Sequence, residues 1–369
     1  MNPEKIGQLF VIGLEGPFLS EDEARFIVEN NIGGVILFDR NCQSPDQIHQ
    51  LCTDIYNLRF KQPEKLPLFI GIDMEGGRVQ RLKPPFTQWP PLQRLEKLDS
   101  TSMAFKLALA MGQELRAAGI NLDFAPCVDV LTNPQNQVIG DRSIGKDPEH
   151  VAKMSSALVR GYIKSGIVPC AKHFPGHGDT VADSHEELPV QDTSYEDLQK
   201  RELIPFKKVF RARLDMVMTA HIQFKNIDSE WPVTLSPHFI QDILRKDYRF
   251  RNLVITDDLD MKALTNHYSK EQIPVQALKA GCDLLLYCND PESPQVALEA
   301  LKKSLQDGQL SAQRVEESYS RVMHLKKTKL TPLTPLSWED ARKVIGHPDH
   351  LRLSKAINDG QILEDLKLS

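Results

Sequence analysis

The stretch Lys172-His173-Phe174-Pro175-Gly176-His177-Gly178-Asp179-Thr180, followed by Asp183-Ser184-His185, gathers three histidines, one lysine and two aspartates around two glycines and a proline. Imidazole titrates near neutral pH, and a carboxylate can either orient it or attack carbon. This composition therefore suits proton transfer and nucleophilic catalysis. The apolar run Gly166-Ile167-Val168-Pro169-Cys170-Ala171 leads directly into it, so the cluster sits where a buried strand would reach the surface. Three other apolar runs end in the same way: at Asp73 with Glu75, Arg78 and Arg81, at Thr219-Ala220-His221, and at Thr256-Asp257-Asp258. A lone aspartate after a strand is ordinarily a helix cap or an ion-pair partner. Four such strand ends together point to one functional rim.

The elements that must carry these residues alternate along the chain. Short β-rich runs occur at Leu9 to Gly13, Gly34 to Phe38, Leu68 to Asp73, Asp123 to Ala125, Val168 to His173, Met216 to His221, Leu253 to Asp257 and Asp283 to Tyr287. Helical segments with start signals lie between them. Ser20 and Glu23 form a capping box, and Ser44 precedes Pro45 and the periodic Ile48, Leu51, Ile55 and Leu58. Near-continuous apolar strands separated by helices imply a parallel sheet covered on both faces. Eight such units favour an α/β fold with a single (β/α)8 TIM-type barrel over an open sheet, because G-x-G-x-x-G is absent after the first strand. The barrel is expected over residues 1–330. Residues 331–369, with Pro332, Pro335 and a helical stretch from Trp338 to Ile345, are expected to be a helical extension packed on it.

Composition narrows the function classes. With 369 residues, 41% of them hydrophobic, the chain can bury a large core. Its formal charge of -5 includes no basic block, which argues against nucleic acid as a partner. Met1 to Leu9 lacks the basic start and apolar stretch of a signal peptide, and no apolar run reaches membrane-spanning length, so a cytoplasmic monomer with no membrane partner is expected. The six cysteines are scattered without a C-x-x-C pair and read as buried, reduced thiols.

The motifs Asp73-Met74-Glu75-Gly76-Gly77-Arg78-Val79-Gln80-Arg81, Gly140-Asp141-Arg142-Ser143, Lys172-His173-Phe174-Pro175-Gly176-His177-Gly178, Asp183-Ser184-His185 and Ile255-Thr256-Asp257-Asp258 together resemble glycoside hydrolase family 3. Within it they are most similar to the bacterial N-acetyl-β-glucosaminidases of cell-wall recycling. The resemblance runs from near Gly7 to about Asn289. It implies a β-N-acetylhexosaminidase acting on peptidoglycan fragments, with a carbohydrate as its only partner and with no cofactor and no metal. By matching positions it implies Asp257 as nucleophile, His185 as acid/base, Asp183 as the carboxylate that orients His185, and Asp73, Arg81, Arg142, Lys172 and His173 as the residues holding the terminal sugar.

The residues themselves fit a retaining mechanism, which needs one group to form a glycosyl-enzyme and another to protonate the leaving oxygen and then activate water. Asp257 follows an apolar strand, Asp258 reads as its structural neighbour, and Asp183 and His185 are two apart on one loop. His177 is assigned to loop structure. His221, Asp123 and Arg78 are candidate supports.

Two positions depart from the family pattern: Met74 stands where Gln is usual, and Asn252 where Gly is usual. Met74 is expected to alter pocket shape, and Asn252 to tolerate a left-handed backbone. The rival readings are a metal-dependent barrel hydrolase, a non-catalytic sugar-binding protein, and a phosphorylase of the same family. A neutral histidine would repel incoming phosphate less than a glutamate would, which keeps the phosphorylase open.

Overall fold

The computed structural model describes residues 4–180, 184 and 186–368. Eight parallel strands close into a barrel: β1 (Phe10–Gly13), β2 (Gly34–Leu37), β3 (Phe69–Ile72), β4 (Leu122–Asp123), β5 (Val168–Phe174), β6 (Met216–Thr219), β7 (Leu253–Asp258) and β8 (Leu284–Tyr287), each paired with its sequence neighbour and β8 with β1. Phe10 faces Leu285 across the closing seam, and Val11 faces Gly34. The expected (β/α)8 barrel is therefore the fold. The strands read as apolar runs because both faces are covered; all four residues of β2, β3, β6 and β8 are buried.

Strand boundaries differ from the sequence expectation by one or two residues, with β4 the largest case. It is confined to Leu122–Asp123 rather than Asp123 to Ala125. The chain beyond it still runs beside β5, with Cys170 N donating to Ala125 O and Val128 N to Lys172 O. Two ladders change register near the carboxyl rim, β5 against β6 between Ala171 and Phe174, and β7 against β8 between Ile255 and Asp258. Such irregularities re-aim side chains next to a site. Here they fall on Lys172, His173 and Asp257.

The helices start where their caps said they would. Ser20 and Glu23 form the reciprocal capping box of α1 (Glu21–Glu29), and Ser44 caps α2 (Pro45–Leu58) with Pro45 in its first turn. The long helices α3 (Thr101–Ala118) and α4 (Pro148–Ser165) pack against each other outside the barrel. The C-terminal segment forms α5 (Trp338–Val344) and a second helix not foreseen from sequence, α6 (Pro348–Asn358), capped by His347. Both lie against α3. Buried Glu114 on α3 fastens them, accepting from His350 Nδ1 at 2.9 Å and Gly346 N at 3.2 Å.

Asn252 is not left-handed; that conformation falls to Arg249, at φ 55. The Asn252 amide instead donates to Leu214 O at 2.7 Å, so a short polar side chain ties the start of β7 to the start of β6. All six cysteines are free, five of them buried. No helix among the described residues is long and apolar enough to cross a membrane.

Candidate active site

A cavity of about 790 Å³ opens at the carboxyl ends of the strands, where (β/α)8 enzymes carry their chemistry. Asp73, Arg81, Arg142, Lys172, His173 and Asp257 all line it. Asp183 and His185 lie outside the described residues. Their neighbours are placed: Ser184 is buried at the cavity wall, where its Oγ lies 3.1 Å from His177 Nε2 and its carbonyl accepts from Ala263 N at 3.3 Å. Glu186 pairs with Lys262 at 2.8 Å.

Two carboxylates and two cations form the floor. Lys172 Nζ, at the end of β5, lies 2.7 Å from both Asp73 Oδ1 and Glu75 Oε1. Arg142 closes a two-pronged pair with Glu75, Nη2 to Oε1 at 2.8 Å and Nε to Oε2 at 2.9 Å. Burial alone would raise the Glu75 carboxyl, but Arg142 and Lys172 overcome it and hold the pKa far below the usual carboxylate range. Lys172 is driven the other way: burial would strip its proton, and Asp73 and Glu75 keep it charged, with its pKa raised. Arg81 reaches Asp73 Oδ2 at 3.4 Å and stacks over Phe38. The hairpin that delivers Glu75 pairs Met74–Gly76 with Val79–Gln80. It turns at Gly76, φ 96, where a Cβ would meet Pro90 O at 2.4 Å.

Asp257 sits at the end of β7, partly open to the cavity, its Oδ1 accepting from Asp258 N at 2.8 Å. Burial pushes its pKa up, but His221, His173, the Asp258 amide and Lys172 outweigh that, so the carboxyl is held below its ordinary value and is ionised at neutral pH. Asp258 contrasts with it. Its Oδ1 is engaged by the Asp260 and Cys288 amides, and burial raises its pKa to about 7. Both carboxylates line the cavity, Asp257 ionised with its Oδ1 on one amide and Asp258 tied to two backbone amides with its pKa near neutral.

The supports have defined partners. His221 bridges Thr234 Oγ1 at 2.7 Å and Asp258 O at 2.9 Å. Asp123 accepts from Met74 N, and Arg78 is pinned by Asp141 and the Gln137 and Val138 carbonyls. His177 lies between Thr180 Oγ1 at 2.7 Å and Ser184 Oγ at 3.1 Å and also lines the cavity; burial lowers its pKa to about 4. Met74 is buried and is not among the residues lining the cavity, so the expectation that it alters pocket shape is not met.

Sequence reasoning missed Glu75 and Asp129 as site residues. Glu75 was in view inside its motif, and its place two residues beyond Asp73 was the available signal. Asp129 stands alone in the apolar run Cys127-Val128-Asp129-Val130, where a fully buried carboxylate signals a designed partner. Cys127, Asp129 and His173 bring S, O and N ligand atoms within 4.8 Å of one another. Those atoms are knit together by hydrogen bonds, Cys127 Sγ to Asp129 Oδ2 at 3.2 Å and His173 Nδ1 to the same oxygen at 2.7 Å.

Residues 1–325 match the profile of the glycosyl hydrolase family 3 N-terminal domain. The chain is 37% identical over 298 residues to a beta-hexosaminidase of Nitrosomonas eutropha, covering 79% of this chain and 84% of that protein. It is 35% identical over 343 residues to a beta-hexosaminidase of Hydrogenovibrio crunogenus, covering 91% and 93%. Among solved structures it superposes on a family 3 beta-N-acetylglucosaminidase from Paenibacillus sp. with a TM-score of 0.91 at 36% identity, over 98% of this chain and 69% of that one. It superposes on NagZ from Neisseria gonorrhoeae with a TM-score of 0.77 at 30% identity, over 97% and 98%.

Proposed function

The chain belongs to glycosyl hydrolase family 3, and from that premise we propose that it is a retaining exo-β-N-acetylglucosaminidase that removes terminal β-linked N-acetylglucosamine from peptidoglycan fragments. Asp257 attacks the anomeric carbon while His185, oriented by Asp183, gives its proton to the departing glycosidic oxygen. The bond from the anomeric carbon to the aglycone breaks as the bond to Asp257 forms. The same imidazole then takes a proton from water, which displaces Asp257 and releases the sugar with its configuration kept. The observation that carries this reading is the ionised Asp257 carboxylate facing a cavity whose floor is the Asp73, Glu75, Lys172 and Arg142 network. Asp73, Arg81, Arg142, Lys172 and His173 hold the sugar hydroxyls, a task suited to charged groups fixed by one another.

The chemistry uses protein side chains alone, with no metal and no cofactor. The enzyme works as a cytoplasmic monomer in which 1–330 is the catalytic barrel and 331–369 an extension packed on it. Water is favoured over phosphate as the second nucleophile because each described lysine or arginine lining the cavity already faces a carboxylate: Lys172 with Asp73 and Glu75, Arg142 with Glu75, Arg81 with Asp73, Arg78 with Asp141. An aryl β-N-acetylglucosaminide incubated with and without inorganic phosphate tests this. Free N-acetylglucosamine in both cases is expected. Sugar 1-phosphate as the main product would make the protein a phosphorylase, and no turnover would leave only binding.

A further inference from the structure

Asp129 lies beneath the cavity, fully buried, in the connection that follows β4. One of its oxygens, Oδ1, accepts two amide protons, from His177 N at 2.7 Å and His173 N at 3.2 Å. The other, Oδ2, is 2.7 Å from His173 Nδ1 and 3.2 Å from Cys127 Sγ. Two backbone N–H donors aimed at Oδ1 favour the ionised form of this carboxyl. Its backbone is fixed as well, since Ser143 Oγ donates to Asp129 O at 2.7 Å. The carboxylate therefore has little freedom, and it is an acceptor only.

On the opposite side of the imidazole, His173 Nε2 lies 3.4 Å from Arg142 Nη2. Guanidinium nitrogen is a donor only, so Nε2 must present its lone pair, and the ring proton must sit on Nδ1 facing Asp129. An acceptor-only group on one nitrogen and a donor-only group on the other leave one neutral tautomer that satisfies both. His173 also lines the cavity, and with Nδ1 turned to Asp129 the edge open to a ligand is Nε2, whose single lone pair the long 3.4 Å contact with Arg142 engages only weakly.

We propose that Asp129 is a positioning residue that locks His173 in its Nδ1–H tautomer, so that Nε2 meets the sugar as a hydrogen-bond acceptor and selects a hydroxyl that donates. The kinetic part rests on the sugar-holding role given to His173 above; the tautomer does not. The consequence is a discrimination that no contact of Asp129 with substrate could produce. A sugar whose hydroxyl at this position is replaced by fluorine, which accepts but cannot donate, loses its partner in the native enzyme. In Asp129→Asn the side-chain amide donates toward Nδ1, the ring proton moves to Nε2, and the penalty against fluorine shrinks.

Nitrogen NMR of the full chain labelled in its histidines, with His173 assigned by its loss in His173→Gln, reads the tautomer directly. The native protein should show His173 protonated on Nδ1 only, and Asp129→Asn should show it protonated on Nε2. On an aryl β-N-acetylglucosaminide Asp129→Asn should lower kcat/KM by about 10- to 100-fold. Across the 3-, 4- and 6-deoxyfluoro analogues the native enzyme should show one penalty that the variant relaxes. Native His173 protonated on Nε2, or on both nitrogens, at neutral pH overturns the inference even if the variant does not fold. A tautomer that switches while kcat/KM stays within about twofold overturns the positioning role. A native enzyme without turnover would sink the functional reading and leave the tautomer result standing on its own.

Discussion

Buried charge gathers at both mouths of the barrel, and the two clusters are built to opposite ends. At the amino mouth Asp283, which precedes β8, is fully buried and takes Arg245 at 2.6 Å, Arg314 at 3.0 Å, Arg321 at 2.9 Å, Ser318 Oγ at 2.8 Å and Val254 N at 3.1 Å. Arg314 also donates to the Leu278, Gly281 and Cys282 carbonyls. Nearby Lys326, its pKa pushed down to about 7 by burial, donates to Gln8 Oε1 and Gly33 O. Both oxygens of Asp283 are committed to protein donors. At the carboxyl mouth the charges are as tightly paired, yet Asp73, Lys172, Arg142 and Asp257 all border open space. A satisfied network facing itself is scaffold; a paired network facing a cavity keeps capacity for a ligand.

Mutations should separate the two mouths. Asp257→Asn is expected to lower kcat on an aryl β-N-acetylglucosaminide by about 10⁴-fold or more, while thermal unfolding stays near or slightly below that of the native protein, because surroundings that hold the carboxyl below its ordinary pKa favour its charge. Asp283→Ala should behave in reverse. Three arginines left without their carboxylate should cost about 3–5 kcal/mol in denaturant unfolding, with kcat/KM per folded molecule within about twofold. If Asp283→Ala lost activity without losing stability, the division between scaffold and site would fail.

Glu75 sharpens the contrast because it belongs to both kinds. It is buried like Asp283, yet it positions Lys172 and Arg142 beside the cavity. Glu75→Gln should lower kcat/KM by about 10²-fold and also lower stability by about 2–3 kcal/mol, two losses measured on the same preparation. Loss of only one of the two would assign Glu75 to a single role.

Asp258 is tested through the pH dependence of stability. Its folded pKa of about 7 exceeds an unfolded value near 4, so the folded state binds the extra proton in between, and ionisation destabilises the fold as pH rises through that window. Asp258→Asn removes this dependence. Its stability relative to the native protein should climb from pH 4 to pH 7 by at most about 1.4 kcal/mol per pH unit. A difference flat across that range would place the Asp258 pKa near its ordinary value.

Much of this was legible in the sequence where the signal is local. The Ser20–Glu23 box and the Ser44-Pro45 start are short-range hydrogen-bonding patterns, and they fixed their helices to the residue. His347-Pro348 carries a comparable start signal for the last helix. Strand-end polarity found Asp73, Lys172 and Asp257 because a barrel puts those ends on one rim. What stayed hidden is non-local. The register shifts in β5 and β7 depend on neighbouring strands, and the role of Asp129 depends on a histidine 44 positions away. Backbone preference alone does not account for Asn252, whose amide contact with Leu214 is non-local as well.

The nucleophile is the claim on which the rest depends, and covalent trapping tests it most directly. Incubation of the intact protein with a fluorinated N-acetylglucosaminyl fluoride slows release of the glycosyl-enzyme, and peptide mass spectrometry then locates the sugar. The label is expected on Asp257, in the peptide that carries the end of β7. A label on Asp258, on Asp73 or on Glu75, or a protein that turns the reagent over with no label at all, would contradict the assignment.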